Sequence, residues 1–292
     1  MRVLVMLILV AALGAPSFAG ADSPIRVTAS IFPIASIVRE IVGDRAIVTT
    51  IVPPGADPHH FELTPSKVRA IYEADVVFMI GGHFDEWAAD VRIEERVQPI
   101  VIRFYQAFGD SLIPLGDSFN PHFWLDPFFA RTMGIAINAV LGAADSKNCD
   151  YYRSRTLAFC SRIDSLHTSA GARLRESGFT DFVSLHPAWS YFARRYGLKE
   201  IDTIEISHDQ EPSARHIAAV IGKMRHAKTG FILAEEFTNV DLAEAVASQT
   251  GAEVILLDPM GSTDRPGRDS YFRLIDYNVS LLEKAAGTYS GN

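Results

Sequence analysis

The sequence predicts an α/β protein of two lobes, each a parallel sheet flanked by helices, joined by one long rigid helix. Three observations predict it. Short apolar or β-branched runs alternate with longer helical patterns, as parallel strands with helical crossovers require. That alternation pauses at a helical pattern running from Asp145 to Glu176, which has no partner strand, and then restarts. The chain has 292 residues, about two domains at roughly 150 residues each.

Taken in order, the chain opens with the short basic Met1-Arg2 and the apolar run Val3 to Ala12. Small residues at Ser17, Ala19 and Ala21 suit cleavage, so residues 1–21 read as a secretory signal peptide. The apolar run is short of the ~18–20 residues a membrane span needs. No cysteine stands near the cleavage site to carry a lipid, and no later segment reads as a span. The expected location is the periplasm of a two-membrane bacterium. The N-terminal lobe is expected over 22–144. Its strands are Ile25 to Ser30, Ala46 to Val52 (ended by Pro53-Pro54-Gly55), Val76 to Ile80 (ended by Gly81-Gly82) and Pro99 to Ile102. Helices are expected over Pro33 to Val42, Thr64 to Glu73 with Pro in the first turn, and Thr132 to Leu141. The linking helix occupies 145–177, with no Pro and only Gly171 to ease a bend. The C-terminal lobe, 178–292, repeats the alternation. Its strands are Phe182 to Leu185, Glu200 to Ile206, Gly230 to Ala234 and Glu253 to Leu257. Its helices are Ala188 to Tyr196, one capped by Ser213, Val240 to Gln249, and Tyr271 to Ala286. No internal repeat is evident in the residues.

Composition narrows the function. Hydrophobic residues are 48% and charged residues 21%, which excludes a largely disordered chain. The net charge of −8 would repel phosphate backbones, so no nucleic-acid partner is expected. Cys149 and Cys160 are the only cysteines. Eleven residues of continuous helix hold them about 16 Å apart, too far for a bridge, so both are expected free.

Nine histidines are present, and three have context. His59 follows the second strand in Asp57-Pro58-His59-His60-Phe61-Glu62. His186 closes a strand in Leu185-His186-Pro187-Ala188-Trp189. His122 lies in Asn120-Pro121-His122-Phe123-Trp124-Leu125-Asp126-Pro127. Asp258 closes another strand in Asp258-Pro259-Met260-Gly261. In open α/β sheets, ligands bind outside the carboxyl ends of strands. Two residues come from each lobe, so facing lobes would bring all four to one cleft. Three imidazoles and a carboxylate suit four-coordinate zinc. Manganese and iron ordinarily take more oxygen ligands, and copper a flatter or softer site. Four protein ligands leave no position for an attacking water, which favours binding over catalysis. The alternative is that each Pro-adjacent His is a turn residue.

These motifs, with Glu211-Pro212-Ser213 and His186-Pro187-Ala188-Trp189-Ser190-Tyr191-Phe192, follow one another in a familiar order. From about Ile25 to the C-terminus the chain resembles the metal-binding periplasmic substrate-binding proteins of ABC importers, the zinc, manganese and iron uptake group. The resemblance implies two α/β lobes bridged by a long helix with the metal between them. It implies a non-enzymatic monomer that delivers metal to an inner-membrane permease and its ATPase. Carried over residue by residue, it implies the ligands His59, His122, His186 and Asp258. Manganese-type members resemble this except for a carboxylate at the third position, so His186 points to Zn2+. Many zinc-type members also carry a His-rich loop before the second ligand. Here Gly109 to Asn120 holds Asp110 and Asp117 but no His, which leaves Mn2+ or Fe2+ open. His60, adjacent to His59, could swap roles with it, although the family pattern favours the first His after Asp-Pro; His83 is expected to line the cleft or a surface loop, and His208 to lie in a loop. His167, His216 and His226 are expected on solvated helix faces. Trp124 and Trp189 are expected to pack beside the ligands and exclude water. Two other classes compete. An exported zinc hydrolase would need a general base, for which Glu62 is nearest, but no His-Glu-x-x-His spacing occurs. A surface adhesin is the other, as related proteins have been assigned binding to host components.

Overall fold

The computed structural model describes residues 23–89, 99–205 and 212–289; the expected signal peptide at 1–21, His208 and Glu211 lie outside them. The chain divides into two units, Met1–Ser165 and Leu166–Asn292.

In the first unit, strands β1 (Ile25–Ala29), β2 (Ala46–Thr50), β3 (Val76–Met79) and β4 (Ile100–Arg103) form one sheet in the order β2-β1-β3-β4. All its pairings are parallel. Helices α1 (Phe32–Val42) and α2 (Pro65–Tyr72) make the first two crossovers. All four residues of β3 are buried, as a central parallel strand covered on both faces should be. On α1 the inward stripe is Ile34, Ile37, Val38 and Ile41, all fully buried. After β4 comes a small antiparallel hairpin, β5 (Pro114–Leu115) with β6 (Ser118–Phe119), too short to leave a period in the sequence. Helix α3 (Pro127–Ala144) starts five residues before the expected Thr132. Asp126 Oδ1 accepts from the Phe128 N–H at 2.9 Å and Pro127 takes the first turn, so the helix is capped there. Contrary to the sequence expectation, α3 is long and apolar enough to cross a membrane, with 18 residues. It is instead a core helix, burying Phe129, Met133, Ile137 and Leu141 among others.

The long helix α4 spans Cys149–Ser177, 29 residues and so about 44 Å. It begins four residues later than expected because Asp145 is a stop. The Asp145 N–H ends α3 on the Leu141 carbonyl at 2.8 Å. Its carboxylate accepts from Asn148 Nδ2 at 2.8 Å and from the Tyr152 hydroxyl at 2.6 Å, and a 3-10 turn, Ser146–Asn148, intervenes. Burial and the Asp145 charge push the Tyr152 hydroxyl pKa up. Cys149 and Cys160 are both free, as the helical spacing predicts.

In the second unit, β7 (Asp181–Ser184), β8 (Lys199–Thr203), β9 (Phe231–Glu235) and β10 (Glu253–Leu257) form a parallel sheet in the order β10-β9-β7-β8. Helices α5 (Ser190–Tyr196), α6 (Ala214–Ala227), α7 (Asp241–Thr250) and α8 (Tyr271–Thr288) accompany it. Ser213 caps α6 by accepting from the His216 N–H, as expected. The core joins Val183, Leu185, Ile232 and Ala234 of the sheet to Val220, Met224 and Val246 of the helices. The two sheets share one plan that the residues themselves conceal. In each, the second strand lies on one side of the first, and the third and fourth on the other. Each sheet therefore has a switch point, between β1 and β3 and between β7 and β9, where ligands of open α/β sheets bind.

Candidate metal centre

The first unit brings two of the four expected residues together. Beyond β2, Ile51 and Val52 continue the ladder onto Ala29 and Ser30, and the chain then turns through Gly55 at φ +76. Asp57 builds the next turn: Oδ1 accepts from the His59 N–H at 2.9 Å, and Oδ2 meets His60 Nδ1 at 2.9 Å. This engagement keeps His60 outside, with its side chain 54% exposed, and leaves His59 to face inward. The His59 ring stands edge-on to Phe84, centroids 4.8 Å apart. Its Nε2 lies 3.2 Å from Nε2 of His122.

His122 is buried and follows the β5–β6 hairpin. Asn120 Oδ1 accepts from the His122 N–H at 3.0 Å and meets His122 Nδ1 at 2.8 Å. The backbone N–H can only donate, so the shared atom is the amide oxygen. Nδ1 therefore carries the proton, and the lone pair is on Nε2, turned toward His59. Such an outer partner fixing the tautomer is what a metal-ligating His requires. Trp124, fully buried, packs at 5.0 Å from the His122 ring. Phe84 is set by Asp85, whose carboxylate accepts from the N–H groups of Ile80 and Gly81 at 2.9 and 2.7 Å where β3 ends. Burial raises the Asp85 pKa to about 6. His83 beside it is exposed with φ +76, a surface-loop residue. Two nitrogens bound ~2.0–2.1 Å from one tetrahedral zinc stand ~3.3 Å apart, close to the spacing seen here.

The second unit holds the other two. His186 leaves β7 in extended conformation, is buried, and opens a 3-10 turn, Pro187–Trp189. Trp189 is fully buried, and its Nε1 donates to Glu235 Oε1 at 3.1 Å. Glu235 ends β9 with no exposure, and burial raises its pKa to about 8. Asp258 follows β10 and is tied to Asn278 of α8 twice: its N–H donates to Oδ1 at 2.8 Å, and its carbonyl accepts from Nδ2 at 2.7 Å. Its Oδ1 accepts from the N–H groups of Met260 and Gly261. Its Oδ2 faces Arg268 and Arg265.

Sequence reasoning missed Asn120, Phe84, Arg265, Arg268 and Glu236. Asn120 had a legible signal, an Asx-turn residue two before a His; the arginines had none. Of the remaining histidines, His226 is exposed as expected, but His167 and His216 are half-buried. His216 Nε2 donates to the Thr203 carbonyl at 2.8 Å.

The family model described as zinc-uptake complex component A, periplasmic, matches residues 27–285. The high-affinity zinc uptake system protein ZnuA of Bacillus subtilis is 24% identical over 298 residues, covering 94% of this chain and 93% of its own length. The zinc-binding lipoprotein AdcA of Streptococcus pneumoniae R6 is 24% identical over 283 residues, 90% of this chain. This chain spans only 56% of that protein's length. Among solved structures, the laminin-binding protein Lmb of Streptococcus agalactiae, described as having adhesin and metal transporting activity, superposes with a TM-score of 0.80 at 29% identity. That match covers 90% of this chain and all of Lmb. With a family model spanning nearly the whole described chain, on a fold shared with metal carriers, this protein belongs to the family of periplasmic zinc-uptake components.

Proposed function

We propose that this chain is exported to the periplasm, captures Zn2+ there as cargo, and hands it to the permease and ATPase of an ABC-type importer. His59, His122, His186 and Asp258 are the proposed ligands, and residues 22–144 and 178–292 the lobes that carry them, joined by the segment 145–177 that contains α4. The protein acts as a monomer and does no covalent chemistry; the family is one of transport components. The observation that carries this reading is the pair of His Nε2 atoms 3.2 Å apart, with the tautomer of His122 set from behind by Asn120. Imidazole-rich donors favour zinc over manganese, which prefers carboxylate and water oxygens. The names of the ZnuA and AdcA relatives support the same metal.

The test is competition with a chelating dye at neutral pH. His122→Ala is expected to weaken zinc binding by about 100-fold or more, as loss of a zinc ligand should. His60→Ala, removing an exposed ring engaged by Asp57, is expected to change it little. Equal affinity in wild type and His122→Ala would reject the assignment.

A further inference from the structure

Asp258 is held more tightly than a plain ligand carboxylate needs to be. Its Oδ1 is engaged by two backbone N–H groups, Met260 at 2.9 Å and Gly261 at 2.8 Å. That leaves Oδ2 for a metal, yet Oδ2 already accepts from Arg268 Nη1 at 3.1 Å and Arg265 Nη1 at 3.4 Å. The same two nitrogens also donate to Glu236, which follows β9: Arg265 to Oε2 and Arg268 to Oε1, both at 2.6 Å. Two guanidiniums are thus shared between two carboxylates. Charge-assisted N–H···O bonds usually measure ~2.7–2.9 Å. By that standard the bonds to Glu236 are strong and those to Asp258 loose. The Arg268 guanidinium is further steadied over the Tyr277 ring, 4.5 Å from its centroid.

We propose that Arg265 and Arg268 set the affinity of the site by competing with the metal for Asp258 Oδ2, with Glu236 as the resting place onto which they withdraw. The proposal rests on the reading that Asp258 is a ligand of the zinc cargo. A carboxylate oxygen facing two guanidiniums gives less charge to a dication, and each guanidinium repels that dication directly. Because both arginines stay bonded to Glu236, releasing Asp258 needs only a small movement and no unpaired charge. A carrier must surrender its cargo, and a built-in competitor for one ligand lowers affinity without removing the ligand.

The experiment measures zinc affinity of the full chain by dye competition and zinc release by stopped-flow chelation. Arg268→Gln is expected to tighten binding by about tenfold, ~1.4 kcal/mol, and to slow release. Arg265→Gln, the more exposed of the two, should shift affinity in the same direction and carries the test if Arg268→Gln does not fold. Arg268→Lys keeps the charge and should stay near wild type. Glu236→Gln weakens the resting place and should loosen zinc binding. If wild type binds zinc and His122→Ala does not, while both arginine variants bind equally or more weakly, the arginines merely brace the loop and the proposal is wrong. If Asp258→Asn leaves affinity unchanged in both wild type and the Arg268→Gln background, Asp258 is not a ligand, and the reading beneath the proposal fails instead.

Discussion

The oxygen of Asn120 accepts two hydrogen bonds from one residue, the backbone and ring N–H groups of His122. These two bonds make Asn120 a residue that fixes the state of the His122 ring. Asn120→Ala would let the imidazole take either tautomer and rotate, and loss of such an outer partner typically costs 10–100-fold in metal affinity. We expect about that loss in dye competition, with Asn120→Asp restoring most of it because a carboxylate accepts the same two bonds. A restored tautomer would also appear in the ring nitrogen chemical shifts, which a purely structural role for Asn120 would leave unmoved. The four ligand candidates were legible in the sequence because each sits at a strand end or beside Pro. Their partners were not. Arg265 and Arg268 reach Asp258 and Glu236 only through the way a Gly- and Pro-containing loop folds, and no spacing rule encodes that.

Among the elements, two helical glycines predict opposite outcomes. A Cβ on Gly171 of α4 would meet Arg175 Nη1 at 3.3 Å, the far end of a flexible side chain, and otherwise ordinary contacts with Tyr196. Gly171→Ala should therefore raise the thermal midpoint, by up to ~1 kcal/mol of helix propensity. A Cβ on Gly134 of α3 would lie 2.6 Å from Cε1 of Phe159, a buried ring on α4 with no room to retreat. Gly134→Ala should lower the midpoint by ~1–3 kcal/mol of overpacking. A Gly134→Ala protein as stable as wild type would mean that α3 and α4 do not pack this closely. Helix existence was read correctly from periodicity, and most helix ends to within two residues, but the starts of α3 and α4 were not. Asp126 and Asp145, one a cap and one a stop, shifted the starts of α3 and α4 by five and four residues through one or two side-chain bonds each.

For the whole molecule, the charge on one buried carboxyl shapes stability against pH. Burial raises the folded pKa of Glu235 from 4.5 to about 8, so between those values the unfolded chain has lost a proton that the folded one keeps. Stability contributed by this group is therefore full below pH 4.5 and declines as pH rises toward 8. Asp85 adds the same sign between 3.8 and about 6. Glu235→Gln preserves an acceptor for Trp189 and cannot ionise. It should melt at a higher temperature than wild type at pH 8.5, with the advantage shrinking steadily toward pH 5. A stability difference between the two proteins that is the same at both pH values would show that folding does not shift this carboxyl's pKa. The division into two α/β halves was visible in the strand-helix alternation. The common strand order was not, because equivalent strands need share only hydrophobicity, not residues.

That common order, the second strand to one side of the first and the next two to the other, bears on how freely the residues beyond the strand ends can be exchanged. The proposed donors His186 and Asp258 sit just past strand ends, while the strands themselves fill the core. His186 follows the buried run Phe182, Val183 and Ser184, and Asp258 follows the buried Leu257. Exchanging a donor at such a position alters the chemistry offered to an ion and leaves the hydrophobic register untouched. Each half could then change its proposed donor without disturbing its own core.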